Sequence, residues 1–534
     1  MGQVQGPATP GSGNGPTPAA AAVAGMVATA AGVATAEAVA ALTVLVPSPL
    51  DVLGQLVVTI LPGGVVTAAI GLFGTANRLV LTIASIVVAL ALGALIGRLA
   101  RRSRASAVTA VALVAVATSI ASVTRPEAAF PLVLLTLAAA ATVTAVLLAR
   151  LLRHLGVPAA AGTATGPTPT GPTPTDPPVD RRAFLRLGVG ASLGAAAFGG
   201  LARSTRGGGA GVPTLPDTPV PTASSTLPPV TAVQDLARTV DGLSPVLTPL
   251  ERFFRIDTAV LLPRADVASW QLRVTGAVER ELVFSYDELL ARDLVEVDAT
   301  IACVSNEVGG SLIGTARWVG VPLTELLAEA GPTAGAEQVL GRSIDGFTAG
   351  FPLEVALDGR QGLVAVGMNG EVLPQRHGFP ARLVIPGLYG YVSATKWLQA
   401  IELTSWEGVD GYWVPRGWSK EAPVKTSARI DVPGMDSQVA AGGVVVAGVA
   451  WAPTRGIEEV EVLVDGTPAT TAELSVPLAA STWVQWRAEV ELAPGDHRLT
   501  VRATDGTGTL QAAGPAPPAP DGAEGWHTIR VRAA

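Results

Sequence analysis

The sequence predicts a multi-domain protein with transmembrane helices first, then a mixed α+β domain, then an immunoglobulin-like β-sandwich. Charged residues make up only 15% of the 534 residues, against about a quarter in typical soluble chains. The deficit lies mainly before Asp176, where long apolar runs dominate. After Val230 the composition is that of a globular protein, and from residue 424 onward short alternating strands are separated by turn signals.

Five apolar stretches predict about five membrane spans within residues 1–154, near 19–46, 55–75, 79–97, 106–124 and 129–149. Each has roughly the 18 or more residues needed to cross the hydrocarbon core as a helix. Glu37 is the one charged residue of the first stretch. Pro and Gly near 62–64 leave a kinked or re-entrant segment open for the second.

Arginine clusters predict the orientation of these spans. One cluster lies between the third and fourth spans and the other flanks the linker after the fifth: Arg98, Arg101, Arg102 and Arg104; Arg150, Arg153, Arg181 and Arg182. Positively charged loops stay in the cytoplasm. One pair of spans separates the clusters, so both assignments agree and place the N-terminus outside.

Three segments connect the membrane region to the rest of the chain. Residues 155–180 form a Pro/Thr/Gly linker, and residues 204–244 form a second linker. Between them, Arg181 and Arg182 precede Phe184-Leu185 and a Gly/Ala-rich apolar stretch, typical of a twin-arginine export signal or anchor at 181–203. A sixth membrane helix is the alternative. Either interpretation places the chain after Leu201 outside the cytoplasm.

Two domains are predicted beyond the second linker. Residues 245–420 mix short strands, such as the alternating stretch at 270–274, with helix-like runs such as 321–327. In residues 424–534, Val484, Trp486 and Ala488 alternate with polar residues, as in a strand with one buried face. Asp465-Gly466 supplies a hairpin turn signal.

Composition excludes several kinds of site. The net charge of −7 argues against a nucleic-acid partner. Cys303 is the only cysteine, so neither an intrachain disulfide nor a cysteine cluster for zinc can form. Only four histidines are present, without HxH or HExxH spacing, so a histidine-based metal site is not expected. A soft thiolate is a natural ligand for a redox-active metal.

The surroundings of Cys303 resemble those of a known family. The ordered blocks are Cys-Val-Ser-Asn at 303–306, Trp-Val-Gly-Val-Pro-Leu at 318–323, Gly-Met-Asn-Gly-Glu-Val-Leu-Pro at 367–374, His-Gly-Phe-Pro-Ala-Arg at 377–382, Tyr-Gly at 389–390 and Thr-Lys-Trp-Leu at 395–398. Phe-Phe-Arg-Ile-Asp-Thr at 253–258 precedes them. Together they resemble the sulfite oxidase family of molybdopterin-dependent oxidoreductases over roughly residues 245–420, with the C-terminal sandwich resembling that family's dimerisation domain.

The resemblance implies a molybdenum–molybdopterin cofactor ligated by the Cys303 thiolate. It implies that Tyr389 donates a hydrogen bond near the metal. The implied cofactor-binding residues are Phe254, Arg255, Asp257, Asn306, His377, Arg382, Thr395 and Lys396. Arginine suits phosphate recognition because its planar guanidinium makes paired hydrogen bonds. The chemistry implied is two-electron oxygen-atom transfer with a small molecule.

One departure puts sulfite itself in doubt as the substrate. Sulfite-oxidising members carry a basic residue soon after the cysteine, whereas Glu307 and Val308 follow Asn306 here. An organic sulfoxide or another neutral oxo compound is equally open. No Cys-x-x-Cys-His motif is present, and His154 stands alone at a helix end, so no haem is expected. A separate cytochrome or quinone-linked protein would then carry the electrons, and a homodimer is open.

The sequence alone is also compatible with other functions. The chain could be a membrane-tethered binding or adhesion protein with a β-sandwich tail, or a hydrolase that pairs Cys303 with His377. Individually, the site residues have structural explanations. His377 or Asn306 could stabilise a turn, Arg382 could be salt-bridged, Arg255 could pair with Asp257, Lys396 could lie over Trp397, and Tyr389 could be a core residue. Trp413 and Trp418 are predicted to pack between domains.

Overall fold

The computed structural model describes residues 17–42, 46–60, 77–123, 130–155, 218–259 and 262–534. These residues fall into two compact units, an N-terminal helical unit and a unit formed by residues 218–534. Apart from Leu155, the predicted linker at 155–180 and the twin-arginine segment at 181–203 lie outside the described residues.

The helices of the first unit are α1 (Pro18–Leu42), α2 (Pro49–Ile60), α3 (Asn77–Arg102), α4 (Arg104–Val123) and α5 (Phe130–His154). By length and composition, α1, α3, α4 and α5 could each cross a membrane. They coincide with four of the five predicted spans. The remaining predicted span, the second in chain order at 55–75, begins within the 12-residue helix α2. It continues into residues outside the described part.

Small residues let the backbones of α1 and α3 approach closely. A Cβ atom added to Gly25 would lie 2.0 Å from the carbonyl oxygen of Gly93, which is typical of helix contacts in membranes. The Glu37 carboxylate accepts hydrogen bonds from Ser48 Oγ at 2.6 Å and from the Leu50 N–H at 3.0 Å. The single charge of α1 therefore caps the start of α2.

The described residues of the mixed domain form ten strands: β1 (Gln271–Gly276), β2 (Leu282–Ser285), β3 (Val295–Ala302), β4 (Ile313–Pro322), β5 (Gln338–Ser343), β6 (Thr348–Pro352), β7 (Leu363–Met368), β8 (Glu371–Val372), β9 (Arg382–Val384) and β10 (Leu398–Thr404). They form two sheets. One has the order β2-β1-β10-β5-β6, and the other has the order β3-β4-β7-β8 with β9 paired to β7. Only the β1–β10 pair of the first sheet is parallel.

Four short helices connect these strands: α6 (Tyr286–Leu290), α7 (Leu323–Ala330), α8 (Leu353–Leu357) and α9 (Gly390–Ser393). Ser285 and Glu288 form a capping box that begins α6. Pro322 ends β4 and lies at the N-cap of α7, so the helix predicted at 321–327 begins two residues later than expected. The predicted strand at 270–274 is β1.

The C-terminal domain contains nine strands: β11 (Ser427–Val432), β12 (Ser437–Val439), β13 (Gly442–Trp451), β14 (Ile457–Val464), β15 (Thr467–Thr471), β16 (Glu473–Leu474), β17 (Val484–Leu492), β18 (Gly495–Asp505) and β19 (His527–Ala533). Their sheets have the orders β11-β13-β17-β16 and β12-β19-β18-β14-β15. Apolar residues of both sheets share one core, including Val446, Trp486 and Val501. The immunoglobulin-like topology stays a prediction.

Local sequence signals explain these strands well. The alternation in β17 buries Val484, Trp486, Ala488, Val490 and Leu492, as predicted. Gln485, on the predicted polar face, is buried as well, because its side-chain amide donates to Asp235 and to the Ser244 carbonyl. Asp465 and Gly466 join β14 to β15 with φ angles of 52° and 83°, the left-handed pair that a tight hairpin turn requires.

The predicted linker at 204–244 needs correction over its described part, residues 218–244. Ser224 donates its N–H to the Leu294 carbonyl at 2.8 Å. Gln485 Nε2 donates to the Ser244 carbonyl at 2.6 Å, and Leu243 is buried. These residues therefore pack on both domains, because their backbone hydrogen bonds and apolar side chains find partners there.

Candidate active site

A cavity of about 670 Å³ lies in the mixed domain and is lined partly by the C-terminal domain. Its lining includes Cys303, Phe254, Asp257, His377, Arg382 and Lys396, which come from three distant segments of the chain. Six of the ten predicted site residues therefore meet in one place. We call this space the cavity below.

Cys303 directly follows β3 and begins a closed loop. Its N–H donates to the Leu312 carbonyl at 2.9 Å, and its carbonyl accepts the Asn306 N–H at 3.0 Å. The Asn306 side chain accepts the Leu312 N–H at 2.7 Å. Burial raises the pKa of the Cys303 thiol, while hydrogen bonding by Ser305 and the charge of Lys396 act in the opposite direction.

The C-terminal domain braces this loop. Arg429 Nη1 donates to the Gly310 carbonyl at 2.8 Å. Gly309 has a φ of 77°, and a Cβ atom there would lie 2.4 Å from His527 Nε2. Only glycine fits that conformation and that close contact without displacement. The position of the cysteine loop thus depends on both domains.

Arg382 is a fully buried cation on β9. Its Nη1 donates to the His377 carbonyl at 3.0 Å, and its guanidinium lies 5.0 Å from the centroid of the Trp318 ring. Burial lowers the pKa of Arg382 to about 9. Burial, together with the charges of Arg382 and Arg376, lowers the pKa of His377 to about 3. His377 is therefore neutral beside a charged guanidinium at neutral pH.

A second group of charges joins Asp257 to two cations. Asp257 Oδ2 lies 2.7 Å from Lys396 Nζ and 2.9 Å from Arg255 Nε. Burial lowers the pKa of Lys396 to about 8, although Asp257 acts in the opposite direction. Lys396 Nζ also lies 4.6 Å from the centroid of the Trp397 ring. Within the described residues, Arg255 Nη2 is buried without a hydrogen-bond partner.

The structure places four predicted site residues outside the cavity lining. Asn306 closes the cysteine loop, which agrees with the alternative that it stabilises a turn. Arg255 does not line the cavity but pairs with Asp257, which does. Thr395 is fully buried, and its hydroxyl has no partner in the described part of the chain. The contacts of Asn306, Arg255 and Thr395 with a cofactor stay predictions. These three residues are neighbours of lining residues and do not line the cavity themselves.

Tyr389 does not line the cavity, although the charge of Cys303 acts on its pKa, and its predicted role near the metal stays a prediction. Its hydroxyl lies against Gly522, where an added Cβ atom would be 2.5 Å away. Burial raises the pKa of Tyr389, against the effect of a hydrogen bond with the Lys425 backbone. The side chain therefore packs on the C-terminal domain, as the core-residue alternative described. Tyr391, two residues later, lines the cavity instead.

The sequence interpretation missed an aromatic and prolyl part of the lining: Phe347, Tyr391, Trp413, Trp418, Pro517, Pro518 and Ala519, with Arg416 among them. Trp413 and Trp418, predicted to pack between domains, both face the cavity, which Pro517–Ala519 of the C-terminal domain also line. Their ring centroids are 6.2 Å apart, and Tyr391 lies 5.7 Å from Trp418. Their spacing along the chain gave no signal, because these contacts form only when distant segments meet.

The geometry does not favour the hydrolase alternative. No hydrogen bond joins Cys303 to His377 among the described residues. The His377 ring instead lies 3.4 Å from the Leu250 carbonyl and 3.2 Å from Arg376 Nε. An imidazole with a pKa of about 3 is a poor general base at neutral pH. In the described residues, no cluster of three or more His, Cys, Asp or Glu could hold a metal.

Comparison with known proteins gives a consistent assignment. The family described as the oxidoreductase molybdopterin binding domain matches residues 259–413. Chicken (Gallus gallus) sulfite oxidase is 28% identical over 51% of this chain and 69% of its own length. The uncharacterized oxidoreductase YuiH of Bacillus subtilis is 34% identical over 29% of this chain and 74% of its own length.

Two further facts qualify the extent of the similarity. The chain spans about half the length of the mammalian sulfite oxidases, with 52% of the human protein matched. Among solved structures, the sulfane dehydrogenase SoxCD from Paracoccus pantotrophus has a TM-score of 0.48 at 22% identity, covering 60% of this chain and 87% of that one. On the sequence matches, the chain is an oxidoreductase that belongs to the sulfite oxidase family of molybdopterin-binding proteins.

Proposed function

We propose that this chain is a membrane-anchored molybdenum-cofactor oxidoreductase. It would perform two-electron oxygen-atom transfer on a small sulfur-containing or other oxo substrate outside the cytoplasm. The observation that carries this proposal is one buried thiol, Cys303, in a cavity that is also lined by the buried cation Arg382 and by Lys396, whose side chain is 10% exposed. Buried cations are costly unless an opposite charge compensates them, and Asp257 faces two cations at once.

The residues of the cavity fit a molybdenum–molybdopterin group. Its phosphate would be held by Arg382 and Lys396, and its metal by the Cys303 sulfur. Within the described residues, two buried donors have no hydrogen-bond partner: Arg255 Nη2 and the Thr395 hydroxyl. Thr395 precedes Lys396 in the chain, and Arg255 shares the Asp257 carboxylate with Lys396. When bound, this group supplies two-electron oxygen-atom exchange with water. The chain supplies position and electrostatics.

The protein groups would act through charge and proton affinity. Binding of a metal requires the Cys303 thiol to lose its proton, which burial opposes and Lys396 favours. An anionic phosphate beside Lys396 and Arg382 would raise both lowered pKa values again. Neutral His377 can donate or accept a hydrogen bond without adding a fourth positive charge to Arg382, Lys396 and Arg255.

Location outside the cytoplasm rests on the four long apolar helices and the arginine clusters that flank them. The Arg181–Arg182 pair would direct export of the folded domain or anchor it. Electrons would pass to or from a separate carrier, a cytochrome or a quinone-linked protein, since the sequence has no c-type haem attachment motif. A homodimer through the C-terminal domain is part of this proposal.

Metal analysis of the purified full-length chain tests the central claim. We expect about one molybdenum atom per chain, and we expect Cys303→Ala and Cys303→Ser to abolish oxidoreductase activity. Val445→Ala, at an exposed position of β13, is the control and should keep both metal and activity. A wild-type chain without molybdenum, from cells that make the cofactor, would refute the proposal, as would full activity of Cys303→Ala.

Export is tested separately. Changing Arg181 and Arg182 together to lysine should trap residues 218–534 in the cytoplasm, measured as loss of protease accessibility from outside an intact membrane. The same double change at Arg101 and Arg102 keeps the charge of another loop and should leave export intact. Unchanged export of the first variant would remove the twin-arginine interpretation.

A further inference from the structure

Part of the cavity lining takes no role in the proposed cofactor contacts. Most of this part is aromatic or apolar: Trp413 and Trp418 from the segment after β10, Phe347 and Tyr391, and the stretch Pro517–Pro518–Ala519. Arg416 also lines it, and its guanidinium lies 3.8 Å from the centroid of the Tyr412 ring and donates to the Tyr412 carbonyl. The aromatic and prolyl side chains gain free energy when they cover apolar surface.

The prolyl stretch belongs to a loop of the C-terminal domain, residues 515–525, which is held in place by a lysine. Lys425 Nζ lies 3.0 Å from Asp521 Oδ1 and 2.8 Å from Glu524 Oε1. It also donates to the Gly522 carbonyl at 3.0 Å. Three acceptors on one ammonium group fix the loop against the strand that follows Lys425.

A backbone contact from the mixed domain holds the same loop from its other side. The Ser419 N–H donates to the Pro520 carbonyl at 3.0 Å, directly after Trp418 in the chain. The loop and the two tryptophans are therefore positioned together, although they belong to different domains.

We propose that this loop, with Trp413 and Trp418, forms a subsite for the apolar body of an organic substrate, and that Lys425 positions the loop. The inference rests on the proposed function and names its substrate class, an organic compound with an oxygen-bearing head, rather than a bare inorganic oxyanion. Tenfold discrimination corresponds to about 1.4 kcal/mol. At about 25 cal/mol per Å², roughly 55 Å² of buried apolar surface supplies it, which is less than one phenyl ring offers.

Binding of non-reacting analogues to the purified, metal-loaded full chain tests the substrate class. Isothermal titration calorimetry would compare methanesulfonate with benzenesulfonate, and dimethyl sulfone with methyl phenyl sulfone. Each pair keeps the charge of the head and changes only the body. We expect the phenyl member to bind at least ten times more tightly in both pairs. A preference below threefold in either pair, or no measurable binding of the phenyl compounds, overturns the inference.

Two variants test the subsite itself. Lys425→Met should reduce the phenyl preference at least threefold in both pairs, and Lys425→Arg should restore most of it. Pro518→Asp places a charge in the wall and should reduce the preference without touching the lysine. Arg530→Met removes an exposed ion pair of the same domain and serves as the control, with the preference unchanged.

The readouts separate the possible failures. Molybdenum content reports on the proposed function, whereas the phenyl preference reports on the subsite and needs no turnover. Thermal unfolding of each variant shows whether it is folded. An intact phenyl preference in folded Lys425→Met and Pro518→Asp would overturn the assignment of the subsite to this loop, even in a chain that contains molybdenum.

Discussion

The cavity of the mixed domain and the core of the C-terminal domain bury opposite kinds of side chain. The cavity encloses the charged Arg382 and Lys396, whereas the core between the C-terminal sheets is apolar and includes Trp486 and Leu499. Burial stabilises an apolar side chain and destabilises a charged one. The difference teaches that the apolar contacts of the C-terminal core stabilise it, while the cavity holds cations whose charge Asp257 compensates only in part.

All ten tryptophans of the chain lie between residues 270 and 526, so their fluorescence reports on both of these regions and not on the membrane helices. Unfolding of the full-length chain in detergent, followed by tryptophan fluorescence, can therefore compare the two regions in one protein.

The largest effect is expected in the C-terminal core. Trp486 is fully buried between the two sheets, and Trp486→Ala leaves a large space that the neighbouring strands cannot fill. We expect a loss of about 3–5 kcal/mol in the free energy of unfolding, measured by denaturant titration. Val445→Ala on the exposed side of the same sheet is the control. A loss below about 1 kcal/mol for Trp486→Ala would contradict a core stabilised by its apolar contacts.

In the cavity we expect a substitution to increase the free energy of unfolding. Lys396→Met removes a buried cation, while Asp257 keeps its contact with Arg255. The cofactor-free chain should gain about 1–3 kcal/mol in stability at neutral pH, because burial lowers the pKa of Lys396 to about 8 and desolvation of its ammonium group is no longer required. The same variant should lose most of its molybdenum. Destabilisation of the cofactor-free variant would show that the Lys396–Asp257 pair is net stabilising and would weaken the comparison.

The two regions should also differ in their response to pH, through His377 and His497. Burial lowers the pKa of His377 to about 3, so between pH 6.5 and 3 the unfolded chain binds a proton that the folded chain does not. Stability then falls as the pH falls, by at most about 1.4 kcal/mol per pH unit. His377→Gln should flatten this loss between pH 6.5 and 5 in the cofactor-free chain.

His497 provides the contrast. Its hydrogen bond to Asp465, with a second to the Ala493 carbonyl, raises its pKa. Its contribution is therefore present below pH 6.5 and is lost as the pH rises through the raised pKa. His497→Gln should leave the acid limb of the stability curve unchanged. If His377→Gln and His497→Gln reduced the loss of stability at low pH equally, that loss would not report on the cavity.

The smallest effect is expected at the surface of the C-terminal domain. Arg530 pairs with Asp436 at 2.9 Å, but both side chains are more than half exposed. Arg530→Met should cost less than about 1 kcal/mol, and the difference should shrink as salt is added. A larger loss, insensitive to salt, would show that this pair takes part in packing.

Local sequence pattern was enough for elements whose neighbours are close in the chain. The alternation in β17 and the Asp465-Gly466 turn predicted a half-buried strand and a hairpin, and both are present. The long apolar runs of α1, α3, α4 and α5 predicted helices in the same way. The Cys303 loop, His377, Arg382 and Lys396 were predicted through an ordered set of motifs, and the structure brings them into one cavity.

The sequence could not decide which residues of distant segments meet. Tyr389 and Tyr391 are two residues apart and chemically alike, yet only Tyr391 lines the cavity. Residues 218–244 have the composition of a linker, yet Gln485, far along the chain, fixes them through Ser244. Such outcomes depend on how the strands close around each other, not on local periodicity.

The sequence by itself determined the family and pointed to Cys303 as the proposed metal-binding thiol, because composition and motif spacing are local properties. Only the tertiary structure decided that Trp413, Trp418 and the loop at 515–525 complete the cavity, and that Asn306 closes a loop. A side chain's neighbours across hundreds of residues are set by the packing of whole sheets, which no short stretch of sequence contains.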